Sequence, residues 1–181
     1  LFKFIDIHPA TDDTDLTFQA DTGTNTNYNQ TITSTAFQVF HGEDGNSGAV
    51  AYKANRDQAQ GTAFQPLCQD IGNGNDESYL GYRLDSDLAQ STGAQRLGIF
   101  VGADNDQCCN GELHLFDPSS TTFVKHFMAR TSNNYYVDYI EDEYTAGYCN
   151  VTAAIDGVQF SMSSGNIDSG VIKLYGVGDK Q

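Results

Sequence analysis

Apolar and polar side chains alternate near the end of the chain, where Val158, Phe160 and Met162 are separated by polar residues. This alternation is typical of a strand with one buried face and one solvated face. A segment of Ser, Gly, Asn and Asp follows at residues 163–170, and a second apolar run follows at 171–177. Two strand-like runs around turn residues predict a sheet that includes the last part of the chain.

Similar runs recur along the whole sequence and are separated by turn-forming residues, as expected for a sandwich or barrel. No sustained helical stripe interrupts them, and the best short helical candidates are residues 56–69 and 88–95. The pattern therefore predicts an all-β fold, a β-sandwich of jelly-roll type with antiparallel strands and little helix, in a single domain over residues 1–181. The predicted strands are 1–7, 16–20, 36–41, 49–53, 79–84, 97–101, 112–116, 121–128, 135–140, 146–151, 158–162 and 171–177.

One hairpin is defined well enough to predict its faces. Residues 112–116 lead into a turn at 117–120, where Pro118 suits the first corner of a type I turn, and the chain returns along 121–128. We expect Leu113 and Leu115 to share one face. We also expect Phe123 and Phe127 to form a second apolar row. Because both faces of the returning strand are bulky, it should lie centrally between layers.

Residues 57–81 resemble residues 87–111 position by position, which indicates a local duplication within the domain. Two copies are too few for a solenoid, so we interpret them as a repeated turn-and-strand motif. The chain begins inside a predicted strand, without an initiator Met or a signal peptide. We therefore expect that an N-terminal part precedes Leu1.

The composition is that of a globular but strongly acidic protein. The 181 residues include 10 Tyr and 11 Phe, and 9 Lys and Arg stand against 24 Asp and Glu, which gives a formal net charge of −15. Such a surface repels phosphate backbones and anionic lipids, so we expect neither nucleic acid nor membrane as a partner. No apolar run reaches the length of a membrane-spanning helix.

The four cysteines, Cys68, Cys108, Cys109 and Cys149, show no C-x-x-C spacing, and no His lies at zinc-finger distance. Free buried thiols and a single disulfide both remain open. If the segment around Cys108 and Cys109 is extended, these two neighbours should point to opposite faces.

Motifs for catalysis are missing from the sequence. The histidines His8, His41, His114 and His126 form neither H-x-H nor H-E-x-x-H, and there is no G-x-S-x-G or Walker loop. We therefore expect a protein that is not an enzyme and has no resident cofactor.

Acidic loops provide the candidate metal ligands. The segments around Asp76 and Glu77 and around Asp104 and Asp106 are rich in Asn, Asp and Gly and occupy corresponding parts of the duplicated motif. Calcium prefers such oxygen-rich loops, although neither segment has EF-hand spacing. Asn, Asp and Gly are equally common in ordinary turns. Calcium at these four residues is thus the cofactor hypothesis, against a simple turn.

A crowd of tyrosines provides the candidate contact site. Tyrosine combines a large contact area with a polar tip and suits contact with a glycan or a partner protein. The alternative is that alternate tyrosines simply line one face of a sheet. The cluster consists of Tyr135, Tyr136, Tyr139, Tyr144 and Tyr148.

Several segments together resemble virion structural proteins of tailed bacteriophages, especially marine ones, which include tail-fibre-like and capsid decoration proteins. The most specific are Pro118-Ser-Ser-Thr-Thr-Phe-Val-Lys-His-Phe127 and the C-terminal segment 163–176, and weaker likeness covers residues 8–12, 57–64 and 146–148. The second copy of the 57–81 motif departs from the single copy that is usual in that family. No catalytic residues carry over.

The resemblance implies a non-enzymatic structural component of a phage particle. We expect it on the virion surface, made in the host cytoplasm and bound to other virion proteins as a capsid decoration protein or a fibre domain. We expect a homo-oligomer, with a trimer favoured. Closed symmetry is the usual way in which such modules assemble and cover their sheet edges. The alternative is a tail-fibre module that recognises host-surface glycans through the tyrosine cluster.

Overall fold

The computed structural model describes residues 1–23, 26–43, 48–52, 69–70 and 86–178. Within these residues the regular structure consists of strands, and all strand pairs are antiparallel. The strands are β1 (Phe2–Pro9), β2 (Thr14–Thr22), β3 (Ile32–Gly42), β4 (Gly48–Tyr52), β5 (Gln69–Asp70), β6 (Gln95–Val101), β7 (Cys109–Leu115), β8 (Lys125–Tyr135), β9 (Tyr139–Cys149), β10 (Ile155–Met162) and β11 (Ile167–Leu174).

The strands form one hydrogen-bonded network that forks at β8. One path runs in the order β11-β1-β7-β8-β9-β3-β4-β5, and the second, β10-β2-β6, joins β8 only where Val101 pairs with Tyr135. A bridge between Ile32 and Ser91 adds a second link between the two paths. We call the first path the large layer and the second the small layer. Together they form a sandwich that is nearly closed into a barrel, as the sequence predicted for a jelly-roll-like fold.

Aromatic rings fill the space between the two layers. Phe2 and Phe4 of β1 each meet Phe160 of β10 edge-on, with ring centroids 5.1 and 5.0 Å apart. Phe18 of β2 packs in the same manner against Phe127 of β8 at 5.4 Å. These rings come from strands that share no hydrogen bonds, so their contacts hold the layers together through buried apolar area. This confirms the alternation in residues 158–162, since Met162 is buried and Phe160 packs against the core.

The other end of the interior is polar. Gln38, Thr131, Asn133, Glu141 and Glu143 lie on the inner faces of β3, β8 and β9 and are all at most 4 % exposed. The Thr131 hydroxyl donates to the Leu97 carbonyl, and the Asn133 amide donates to the Ile99 carbonyl at 2.9 Å. These bonds join β8 of the large layer to β6 of the small layer, near the pairing of Val101 with Tyr135. The interior therefore has an aromatic end and a polar end.

The predicted hairpin around Pro118 forms, but not every expectation about its second strand is correct. Leu115 pairs with Phe127, and the Ser120 amide donates to the Asp117 carbonyl at 3.1 Å, which closes the expected turn. The strand β8 lies between β7 and β9 in the sheet, but its outward face is exposed, with Met128 56 % exposed. The expectation that it lies between two layers is therefore wrong. The expected row of Phe123 and Phe127 does not form. Phe127 is buried whereas Phe123 is 70 % exposed in the connection, because its amide bonds to the Ser120 hydroxyl and delays the start of β8.

The predicted strand at residues 135–140 is interrupted by a hairpin turn at residues 136–138, between the end of β8 at Tyr135 and the start of β9 at Tyr139. The Asp138 amide donates to the Tyr135 carbonyl at 3.0 Å, and Asp138 has a φ of 63°. A three-residue loop whose last residue is left-handed is a common hairpin connection, and Asp tolerates that conformation. The ends of the predicted strand thus belong to two different strands that meet at this turn.

The expected helical turn at residues 88–95 is also absent. This segment is irregular, bridges to Ile32 at Ser91, and includes Gln90 with a φ of 50°. The second helical candidate, 56–69, lies almost wholly outside the described residues. The same holds for the predicted strand 79–84 and for most of the first copy of the duplication, 57–81.

The described cysteines are free thiols. Cys109 is fully buried at the start of β7, whereas Cys108 is partly exposed, so these neighbours do point in different directions. Burial raises the pKa of the Cys149 thiol to about 11 and raises the pKa of Cys109 as well. Both buried thiols are therefore protonated near neutral pH and fill space in the core.

Candidate interaction surface

The predicted tyrosine cluster divides into two groups. Tyr135, Tyr136 and Tyr139 lie at the β8–β9 turn, where the Tyr135 ring stacks on Tyr136 at 4.6 Å and on Tyr139 at 5.6 Å. Phe100 meets the Tyr135 ring edge-on at 5.0 Å. Burial raises the pKa of Tyr135, and a hydrogen bond with Tyr136 adds to the shift. This group closes the end of the sandwich at which the two layers join.

Tyr144 and Tyr148 belong to a different surface, the outward face of the large layer. They alternate along β9 with the buried residues Glu143, Thr145 and Cys149. Strand alternation therefore explains their placement, as the alternative interpretation of the tyrosine cluster expected. Tyr148 lies beside His126 of β8, with ring centroids 5.7 Å apart.

Strand register assembles a continuous row of side chains across this outward face. Each neighbour in the row is the direct cross-strand partner of the next, from β3 through β9, β8, β7 and β1 to β11. Such partners interact directly because their Cβ atoms lie about 5 Å apart. We call this set the outer row, and it consists of Phe37, Tyr144, Arg130, Glu112, Lys3 and Lys173.

Contacts along the outer row fix its aromatic half. The rings of Phe37 and Tyr144 are parallel to within 4° and 4.6 Å apart, and the Arg130 guanidinium lies 4.9 Å from the centre of the Tyr144 ring. The Tyr144 ring is thus covered on one side by Phe37 and approached by Arg130. Phe37 itself remains 43 % exposed.

A bidentate ion pair holds Arg130 in place. Its Nε and Nη2 atoms donate to the two carboxylate oxygens of Asp142 at 2.9 and 2.7 Å, and the Tyr144 hydroxyl donates to the same carboxylate at 3.1 Å. The hydrogen bonds to Asp142 and its charge raise the pKa of Arg130, so its positive charge is permanent. The other half of the row contains a weaker ion pair, with Lys3 Nζ 3.7 Å from Glu112 Oε2.

Charge is distributed unevenly over the molecule. Among the described residues, Lys125 is fully buried and Arg96 pairs with Asp15 at 3.0 Å. The remaining described cations, Lys3, Arg130 and Lys173, all lie in the outer row. A protein with a net charge of −15 thus carries one face on which cations match the neighbouring carboxylates.

Exposed apolar side chains surround the outer row on the same face. They are large residues that a lone sheet face normally keeps from water, and together with Arg and Tyr they give the composition of a protein interface. Their exposed fractions are 37 % for Val39, 56 % for Met128 and 48 % for Ile140. Sequence reasoning missed Phe37, Arg130 and these neighbours, because only the long-range register shows that they share a face.

The structure describes two of the four candidate metal ligands. Asp104 and Asp106 lie in the exposed β6–β7 connection, where the Gln107 amide donates to the Asp104 carbonyl at 2.9 Å. Asp76 and Glu77 lie outside the described residues. Within the described part of the chain, no three His, Cys, Asp or Glu side chains come together as a metal site would require.

The polar end of the interior contains two buried carboxylates, Glu141 and Glu143. The Asn133 amide lies 3.2 Å from Glu141 Oε2, and Glu143 and Cys109 lie close by. Glu141 and Glu143 are 4 % and 1 % exposed, and the pKa of Cys109 is raised by its burial first. Both carboxylates are thus shielded from solvent, and of these groups Asn133 also joins β8 to β6 through the Ile99 carbonyl.

Comparison with protein-family models finds no match, and comparisons with curated proteins and with solved structures find none either. Within the described residues, no helix has the length and apolar character needed to cross a bilayer.

Proposed function

We propose that the chain is a non-enzymatic structural component of a tailed-phage particle, exposed on the particle surface as a capsid decoration protein or a fibre domain. In this proposal the outer row and the apolar residues around it dock onto another virion protein. The remaining acidic surface faces the solvent and keeps particles apart by repulsion. The protein is made in the host cytoplasm and reaches its place during assembly.

The observation that supports docking most strongly is the outer row itself. Its aromatic half is already ordered by stacking and by the Arg130–Asp142 pair, so little side-chain freedom is lost when a partner covers it. Aromatic residues, Met and Arg are enriched where protein interfaces are fully buried. The phage setting rests on the sequence resemblance around Pro118 and the C-terminal segment.

Recognition of host-surface glycans is the second candidate, favoured by the exposed Phe37 beside the Arg130–Asp142 pair. Sugar sites combine an aromatic platform with a few fixed polar groups. However, Tyr144 is stacked on Phe37 and lies against Arg130, so a sugar ring finds little free face on it. This geometry favours contact with a protein.

Purified particles test the proposal. The chain should remain with particles through a density gradient, be detected by mass spectrometry, and be labelled by antibody on intact particles. Its detection only as free protein in the host cytoplasm would contradict the proposal. A glycan array with the wild-type chain and a Phe37→Ala variant separates the two candidates, since Phe37-dependent binding would favour the glycan module.

A further inference from the structure

The strand β11 is an edge of the large layer whose side chains are unusually apolar and exposed. Among the described strands it pairs only with β1. Five residues at and after its end are apolar and at least 38 % exposed, namely Val171, Ile172, Leu174, Tyr175 and Val177. Edge strands of stable monomers are normally protected by charge, proline or a covering segment. Here the exposed apolar side chains coincide with a backbone edge that no other described strand pairs with.

Two of these side chains continue the buried aromatic row of the core. Ile172 pairs with Phe4 and Leu174 pairs with Phe2, so all four lie on the face that looks toward the small layer. Phe4 and Phe2 are 2 % and 8 % exposed because Phe160 covers them. Ile172 and Leu174 are 38 % and 70 % exposed. The core face of the sheet therefore extends past the small layer that covers it.

Backbone groups at the same positions point away from β1. Leu1 and Tyr175 exchange both of their hydrogen bonds, at 2.9 and 2.8 Å. The register continues without a break to Val171, so alternate residues of β11 bond to β1. It follows that Ile172 and Leu174 turn their N–H and C=O groups outward, toward the open edge. The regular edge ends at Gly170, whose φ is 121° and where the register shifts.

We infer that β11 pairs with β11 of a second copy, antiparallel, about a two-fold axis near Val171 and Ile172. A two-fold axis normal to the sheet keeps equivalent faces on the same side, so Ile172 and Leu174 of both copies meet in one apolar row. The outward backbone groups of each copy find partners in the other. Two large layers then form one continuous sheet.

Charge favours a second copy as the occupant. The only ionisable side chains of β11 are Asp168 near one end and Lys173 near the other. Antiparallel pairing brings the negative end of one strand toward the positive end of its partner, whereas parallel pairing would place like charges together. The strand is therefore locally neutral and self-complementary within a protein of net charge −15. This contact does not depend on the proposal that the outer row docks onto another virion protein. A two-fold contact forms a dimer, so the trimer expected from the sequence would need a different contact.

Sedimentation velocity of the 181-residue chain over about 1 to 100 µM tests the pairing. We expect a concentration-dependent dimer, and we expect Leu174→Lys to weaken it by about tenfold or more because a buried charge opposes edge pairing. Phe123→Lys is the matched control, because Phe123 has the same 70 % exposure but lies in the β7–β8 connection. Unchanged circular dichroism and melting temperature confirm that both variants fold.

Amide hydrogen exchange locates the contact. Amides of Ile172 and Leu174 should become protected as the dimer forms, while those of Val171 and Lys173, bonded to β1, are protected at all concentrations. A monomer throughout the range, a trimer, or a dimer that Leu174→Lys leaves unchanged would overturn the inference. Exchange at Ile172 and Leu174 that is independent of concentration would overturn it as well.

Discussion

The two faces of strands β8 and β9 differ in burial and in role. Along β8 the inward residues from Lys125 to Asn133 are each at most 8 % exposed, whereas the outward residues between them are all exposed. At the polar end the usual arrangement is reversed, since Glu141 and Glu143 are buried while Ile140 faces the solvent. Hydrophobicity alone does not explain this arrangement. The inner face is built for stability, and the outer face presents a surface for contact.

The largest effect should come from the aromatic end of the inner face. Phe127→Ala removes a ring that packs against Phe18 and should lower the free energy of unfolding by about 3–5 kcal/mol. Met128→Ala, on the next residue but facing outward, is the matched control and should change it by less than about 0.5 kcal/mol. Urea titration measures both. Equal losses of unfolding free energy in the two variants would contradict the conclusion that the inner face provides the stability.

The buried Lys125 should come next. Its ammonium is fully buried and donates to the carbonyls of Phe123, Val151 and Thr152 at 2.6, 3.3 and 3.2 Å. Lys125→Ala removes a fully buried side chain and leaves three carbonyls without their donor, so it should lower the free energy of unfolding by about 2–3 kcal/mol. The adjacent outward His126→Ala serves as control. A fully stable Lys125→Ala protein would show that this ammonium does not tie the two connections together.

The buried Cys149 thiol should make the free energy of unfolding fall at alkaline pH, with a smaller effect than the two substitutions above. Burial raises the pKa of Cys149 from 9.0 to about 11, so the unfolded chain loses this proton at lower pH than the folded chain does. The folded state is unaffected below pH 9.0 and loses stability as the pH rises through about 11. Urea midpoints measured across this window should fall more steeply for the wild type than for Cys149→Ala. Identical slopes would contradict the burial of this thiol.

The outer row should matter least for stability. Arg130→Ala breaks the pair with Asp142 and removes the cation from the Tyr144 ring, yet an exposed ion pair of this kind contributes little to stability because solvent screens it. The free energy of unfolding should therefore hardly change, while binding to the particle should weaken markedly because interface energy concentrates in aromatic and Arg residues. A variant that loses stability but keeps its particle binding would reverse the assigned roles.

Local patterning predicted the strands well, and the errors occur where backbone conformation decides. The aromatic and apolar residues at 135–140 are compatible with a strand, but a turn at 136–138, which ends in the left-handed Asp138, divides them between two strands. Phe123 fits the alternation of the return strand, but the Ser120 hydroxyl binds its amide and keeps it in the connection. Neither a positive φ nor a side chain bonded to the backbone leaves a periodic signal in the sequence.

The candidate surface was predicted only in part. Tyr144 and Tyr148 are on it, but their neighbours in sequence, Tyr135 and Tyr139, help to close the end of the sandwich. Phe37 lies more than a hundred residues from Tyr144 along the chain, and register alone makes them partners. Register depends on how all strands fit together, so sequence periodicity shows which face a residue occupies and not which residues adjoin it.

Electron cryomicroscopy of an intact particle that contains the protein tests the central claim most directly, because it shows which face of the sandwich meets the particle. The account predicts that Phe37, Tyr144 and Arg130 are covered by a neighbouring virion protein while the acidic surface faces outward. A map in which the outer row faces the solvent and another face is docked would contradict it.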